Sequence, residues 1–193
     1  MSLIIVNATP SRIDIAVDTG STAGISISKM VYVTEPNLLF AARGDRFFLG
    51  HIHHNFFYSP ENVSFDEALE FIPEIGRAQL QHMRDMGAAE GLEVVMAGFS
   101  SREREMAAYR FRMLPGEAEV QQQRMWNDFA FWASPWQPHM GECPGWKDEA
   151  SLKAMAAAMA AELQRVGAPG GGRLKVASIT ADGCRFRDAG EIA

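Results

Sequence analysis

MSLIIVNATPSRIDIAVDT, residues 1–19, decides how this chain begins to fold. Residues 3–6 and 12–18 are rich in Ile and Val, which suit a pleated, half-buried surface. Between them Asn7-Ala8-Thr9-Pro10-Ser11 is built from turn residues. The pair reads as a β-hairpin, so the chain starts directly in a sheet. Alternation resumes around Ile25, Ile27 and Met30 to Val33, and a Glu35-Pro36-Asn37 turn leads into Leu38 to Ala42. About four short strands so early in the chain is the density of an antiparallel meander.

The hydrophobic period changes at Gly44. Between Asp45 and Tyr58, Phe48, Ile52 and Phe56 fall at helical spacing, and Ser59-Pro60 ends the segment. Ser64 and Glu67 form an S-x-x-E capping box for a second helix with Leu69, Ile72, Leu80 and Met83 along one face. Pro73 inside it removes a backbone donor and predicts a kink. Leu92 to Phe99 and Met106 to Met113 read as another antiparallel pair, joined by the charged run Ser100 to Glu105. From Pro115 to Gly145 the pattern is irregular, with a short helix expected around Gln121 to Trp132. A third clear helix carries Leu152, Met155, Met159, Leu163 and Val166, capped by Asp148 or Ser151 and ended by Gly167 and Pro169. Gly170-Gly171-Gly172 then reads as a flexible joint. A last hairpin, Leu174 to Thr180 and Cys184 to Arg187, turns at Ala181-Asp182-Gly183. Strands cluster and do not alternate singly with helices, which predicts an α+β fold of antiparallel sheets with helices on their outer faces.

Composition bounds the rest. With 193 residues, 47% of them apolar and 22% charged, the chain has the make-up of a globular protein and is expected to form a single domain over 1–193. A net charge of −6 works against partners held mainly through phosphate, so neither nucleic acid nor an anionic membrane is expected. The two cysteines, Cys143 and Cys184, are too few for a disulfide framework. Met1 to Asn7 carries no basic n-region, so secretion is not expected, and the weakly polar stretch Ala154 to Ala161 falls short of the ~20 apolar residues of a spanning helix. A cytoplasmic location is expected.

Four local matches, in order, resemble the N-terminal-nucleophile (Ntn) hydrolases, and in particular their proteasome β-subunit-like branch. Ser2 opens the first strand, and Asp18-Thr19 closes the second. Lys29-Met30 begins the third, and Ala41-Ala42-Arg43-Gly44-Asp45 ends a strand in small residues and a Gly before a helix. The resemblance implies a four-layer αββα sandwich. The family's Gly-Ser-Gly stretch, which supports the catalytic centre from a later strand, has no clear counterpart.

The chemistry that the resemblance implies is amide or peptide hydrolysis. A free α-amino group, with a pKa of about 7.7–8.0, can take the proton of its own residue's hydroxyl, so a terminal Ser supplies nucleophile and base together. The implied roles are Ser2 as nucleophile, Lys29 as the charge that keeps the amine's pKa low, Asp18 as the partner that orients Lys29, and the Gly44 N–H as oxyanion donor. Met1 must be removed, because an amine that belongs to Met1 cannot serve Ser2. No cofactor is implied. The partners would be further copies of the chain and a peptide or small amide substrate. Two other readings stand beside this one. The first is a catalytically silent protein of the same fold that acts in assembly or binding. The second is a metal-binding protein using the His51-Ile52-His53-His54 cluster, with His139 and Cys143 as remote contributors.

Overall fold

The opening hairpin forms as β1 (Ile4–Thr9) and β2 (Arg12–Asp18), paired from Ile4 opposite Val17 to Thr9 opposite Arg12. It is seen in a computed structural model that describes residues 3–20, 29–44, 50, 54, 63–87, 91–114, 116–126, the backbone of 130–131, 146–165, 167 and 170–192. Its turn is tighter than the sequence suggests, taking only Pro10 and Ser11. Asn7 and Ala8 continue the ladder, and the Thr9 hydroxyl closes the turn by donating to the Arg12 carbonyl at 2.8 Å and accepting its N–H at 3.1 Å. Pairing satisfies backbone groups that a longer loop would leave to water.

Ten strands are arranged in two antiparallel sheets among the described residues. In the first, β1 and β2 are flanked by β8 (Ala130–Phe131) on one side and β9 (Arg173–Thr180) and β10 (Gly183–Glu191) on the other, in the order β10-β9-β2-β1-β8. The second runs β3 (Met30–Val33), β4 (Leu38–Arg43), β5 (Leu92–Ser100), β6 (Glu105–Met113) and β7 (Gln121–Met125) in sequence order. Two helices complete the described elements, α1 (Phe65–Asp85) and α2 (Glu149–Arg165).

Three apolar layers hold these elements together. Ile4, Ile13, Ile15 and Ile179 of the first sheet meet Leu39, Ala41 and Val95 of the second in a central layer. On its other face the second sheet packs Leu38, Phe40 and Phe111 against Ile72 and Leu80 of α1, and the first sheet packs Leu3, Ile5 and Leu174 against Leu152, Met159 and Leu163 of α2. The order is therefore helix, sheet, sheet, helix. A strand buried on both faces is apolar at every position, which is why Leu38 to Ala42 does not alternate.

The capping box is present: Ser64 accepts the Glu67 N–H, and the Glu67 carboxylate accepts the Ser64 N–H at 2.8 Å. In the same first turn, buried Asp66 docks α1 onto the β5–β6 hairpin by accepting the Ser100 hydroxyl (2.7 Å), the Ser101 hydroxyl (2.6 Å) and the N–H groups of Ser101 (2.9 Å) and Arg102 (3.2 Å). Pro73 lies within α1.

The short helix expected around Gln121 to Trp132 is replaced by strand. Gln121 to Met125 pair with Arg112 to Ala108, and Ala130 and Phe131 pair with Ile5 and Ile4. The open edges of β6 and β1 offer backbone partners, and ladder formation overrides the helix propensity of Gln and Arg. The strand expected around Ile25 and Ile27 lies outside the described residues. So does the helix expected between Asp45 and Tyr58, save Gly50 and His54, whose backbone is helical. No helix among the described residues is long and apolar enough to cross a membrane.

Candidate active site

At one end of the sandwich the two sheets are tied by a buried ion pair. Asp18 is the last residue of β2 and Lys29 immediately precedes β3 in the other sheet, and the Lys29 Nζ lies 2.6 Å from Asp18 Oδ1. Asp18 is fully buried and Lys29 is 7% exposed. The carboxylate has two further donors: Oδ1 also accepts the Leu3 N–H at 3.0 Å, and Oδ2 accepts the Gly171 N–H at 3.3 Å. Lys29 donates a second bond, to the Gly20 carbonyl.

Burial acts on both partners. It pulls the Lys29 ammonium below its ordinary range, opposed by the charge and hydrogen bond of Asp18. It pushes the Asp18 carboxyl up, opposed by Lys29 and by the Leu3 and Gly171 amides. Replacing a buried ion pair by packed apolar groups is often neutral or stabilising, so a stability argument alone does not account for this one. Perturbed, paired charges of this kind mark candidate sites.

Gly44 follows the last residue of β4. The Ala42 N–H donates to the Lys29 carbonyl at 3.0 Å, so Gly44 lies two residues further along the strand, about 7 Å on. Its φ is +100°, and a Cβ there would sit 2.4 Å from the Gly91 carbonyl oxygen, so the position requires glycine on two counts. Gly44 itself is exposed.

The segment Gly170–Gly172 is not a free joint. The Gly20 N–H donates to the Gly171 carbonyl and the Thr19 N–H to the Arg173 carbonyl, both at 3.0 Å, while Thr19 Oγ1 accepts the Arg173 N–H at 2.9 Å. Gln164 of α2 holds the Gly170 carbonyl at 3.0 Å. Gly171 and Gly172 have φ values of +118° and +78°, and a Cβ on Gly172 would meet Thr19 Oγ1 at 2.8 Å. The glycines let this strand approach Asp18 closely enough to hydrogen-bond it. Sequence reasoning missed them, because a glycine run after a helix reads equally well as a hinge. The available signal was its position immediately before a strand.

Of the residues proposed from sequence, Asp18 and Lys29 are brought into contact, and Gly44 closes the neighbouring strand. Ser2 lies outside the described residues, as do His51, His53, His139 and Cys143. His54 is exposed. Among the described residues no three His, Cys, Asp or Glu side chains converge where a metal could sit. Trp132 and Trp136 lie outside the described residues. Trp126 is exposed beneath the Arg124 guanidinium, 3.8 Å from the ring centre, and Trp146 packs against the α2 layer.

No protein-family model matches the chain, and no curated protein does. Among solved structures 271 chains match. One is Anbu (ancestral beta-subunit) from Yersinia bercovieri, at a TM-score of 0.63 and 15% identity over 95% of this chain and 86% of that one. These findings correct the resemblance drawn from sequence. It does not establish membership in the proteasome β-subunit-like branch, because an identity of 15% with no matching family leaves a likeness of fold alone. Short motifs in the right order are what a shared sandwich topology itself demands: a turn after β2, a glycine after β4 and a turn between β9 and β10.

Proposed function

We propose that the chain hydrolyses amide bonds through Ser2, made N-terminal by removal of Met1. The observation that carries this reading is the buried Lys29–Asp18 pair at the start of β1. Its carboxylate accepts the N–H of Leu3, the residue joined to Ser2 by that peptide bond. The α-amino group of Ser2 would accept the hydroxyl proton as Oγ attacks the substrate carbonyl carbon. The negative charge passes to the carbonyl oxygen, and the Gly44 N–H stabilises it there. Collapse of the tetrahedral species breaks the C–N bond, and the leaving amine carries the proton away. Water then cleaves the acyl ester by the same steps, with the amine again as base.

Lys29 fits the role of tuner. Its positive charge opposes protonation of a nearby amine, and Asp18 holds it in place. Two of its ammonium protons go to Asp18 and the Gly20 carbonyl, and the third has no acceptor among the described residues. The likeness to Anbu, named an ancestral β-subunit, supports a homo-oligomer. The low cysteine content supports a reducing, cytoplasmic compartment.

Intact mass of the natively expressed protein, followed by labelling with a peptidyl β-lactone, tests the proposal. The expected result is loss of Met1 and one acyl adduct on Ser2, absent in Ser2→Ala. Quantitative retention of Met1, or labelling that survives Ser2→Ala, overturns it.

A further inference from the structure

A row of polar side chains, three of them charged, crosses the second sheet on the face it turns to the first. Arg43 of β4 stands opposite Glu93 of β5, Glu93 opposite Arg112 of β6, and Arg112 opposite Gln121 of β7. These positions share the parity of Leu39, Ala41, Val95 and Ala108, which fill the central apolar layer. Glu93 is the centre of the row. Its Oε2 pairs with the Arg43 guanidinium and its Oε1 with that of Arg110, one step further in. The side chains of Arg43 and Glu93 are 4% and 3% exposed. Burial depresses the Arg43 guanidinium well below its usual range, with the charge of Arg110 adding to the effect.

Burying charge is costly, and replacing a buried ion pair by packed apolar residues of similar volume is often neutral or stabilising. The position of the row offers another reason for it. Arg43 is the residue before Gly44, and Glu93 lies two residues beyond Gly91, the glycine whose carbonyl oxygen closes the space beside Gly44. The peptide group joining Arg43 to Gly44, which carries the Gly44 N–H, is thus gripped from both sides. The Arg43–Glu93 ion pair lies at one end, and at the other the Gly91 carbonyl oxygen stands 2.4 Å from where a Cβ of residue 44 would be.

We infer that Glu93 is a positioning residue, which through Arg43 sets the direction of the Gly44 N–H as an oxyanion donor. The inference rests on the amide hydrolysis proposed above for its catalytic meaning, and not for its geometry. An oxyanion donor acts on charge that develops only in the transition state, so a misdirected N–H slows the chemical step and leaves substrate binding unchanged.

Two variants test this. Glu93→Gln removes the bridging charge. The triple variant Arg43→Met, Glu93→Leu, Arg110→Met removes Glu93 and both of its ion-pair partners while refilling the layer, and so separates positioning from folding. The first readout, independent of activity, is the backbone 15N order parameter of Gly44. It should fall from the rigid level of about 0.85 to below about 0.6 in the triple variant, with the α2 amides unchanged. The second is hydrolysis of a peptidyl coumarin amide by the full chain. We expect kcat to fall at least tenfold with KM within about threefold, once active sites are counted by β-lactone titration. A folded triple variant in which Gly44 stays rigid overturns the inference, as does a fall in activity that tracks only the fraction of folded protein. If the wild-type chain neither cleaves the amide nor takes the label, hydrolysis is refuted, and the Gly44 order parameter still decides whether Glu93 positions that peptide.

Discussion

Replacing Lys29 by Met is the sharpest probe of the buried pair, because the unbranched side chain keeps the apolar stem and removes the ammonium with its charge and its two hydrogen bonds. Asp18 is left fully buried with the Leu3 and Gly171 amides as its remaining donors. Burial already raises its carboxyl above the ordinary value of 3.8, and Lys29 is the principal influence holding it down. Without Lys29 the folded protein escapes by taking up a proton. At 1.36 kcal/mol per pH unit, holding a carboxyl of ordinary pKa 3.8 protonated costs about 4 kcal/mol at pH 7 and about 1.6 kcal/mol at pH 5. These are ceilings on the loss, and the first falls within the ~3–5 kcal/mol typical of breaking a buried pair. The sign follows from the direction of the shift. A group whose folded pKa is raised leaves stability intact below its unfolded value and loses it as pH rises, so the variant is weakest at neutral pH and recovers toward pH 5. Urea unfolding of both proteins at pH 5, 6 and 7 measures the difference. At pH 7 the melting temperature should drop by about 8–16 °C for a chain of this length. A difference below about 1 kcal/mol that is flat from pH 5 to 7 would refute the reasoning, since it would mean that water reaches Asp18.

Three further outcomes are expected. Gly172→Ala forces a Cβ onto Thr19 Oγ1 at a φ of +78°; it should cost about 1–2 kcal/mol, read as a 2–8 °C lower melting temperature. Asp66→Asn turns an amide toward the Ser101 and Arg102 N–H groups and should cost about 2 kcal/mol in urea unfolding. Burial raises the Asp66 carboxyl, but the Ser101 and Ser100 hydroxyls and two backbone N–H groups outweigh it and bring the carboxyl below its ordinary value, so the loss is full above about pH 4 and fades as pH falls through the folded value. The half-buried Cys184 thiol is pushed up to about 11 by burial; at pH 8 iodoacetamide should modify it about two orders of magnitude faster in the unfolded chain than in the native one.

The strands were legible wherever local chemistry dictated them. Ile and Val on either side of Pro10-Ser11 specify the first hairpin, and Ala181-Asp182-Gly183 specifies the last. The Ser64–Glu67 box marks the start of α1 within a single turn of helix. Gln121 to Met125 was illegible because its state depends on a partner, the open edge of β6. Nothing in the segment's own composition records that edge.

The candidate site divides in the same way. Asp18 and Lys29 could be singled out in the sequence as an acid ending one strand and a base starting another, and Gly44 as a glycine after a strand. That the acid and base meet at 2.6 Å with water excluded is a property of two sheets packed face to face. The sequence by itself determined the α+β class, the helix caps and the turn glycines, because each depends on residues a few positions apart. Only the tertiary structure decided that Gly171 hydrogen-bonds Asp18 across 153 positions and that Glu93 bridges the buried Arg43 and the half-buried Arg110. Those contacts exist because burial makes an unpaired polar group costly, and the groups that satisfy it are supplied by whichever strand packing brings alongside.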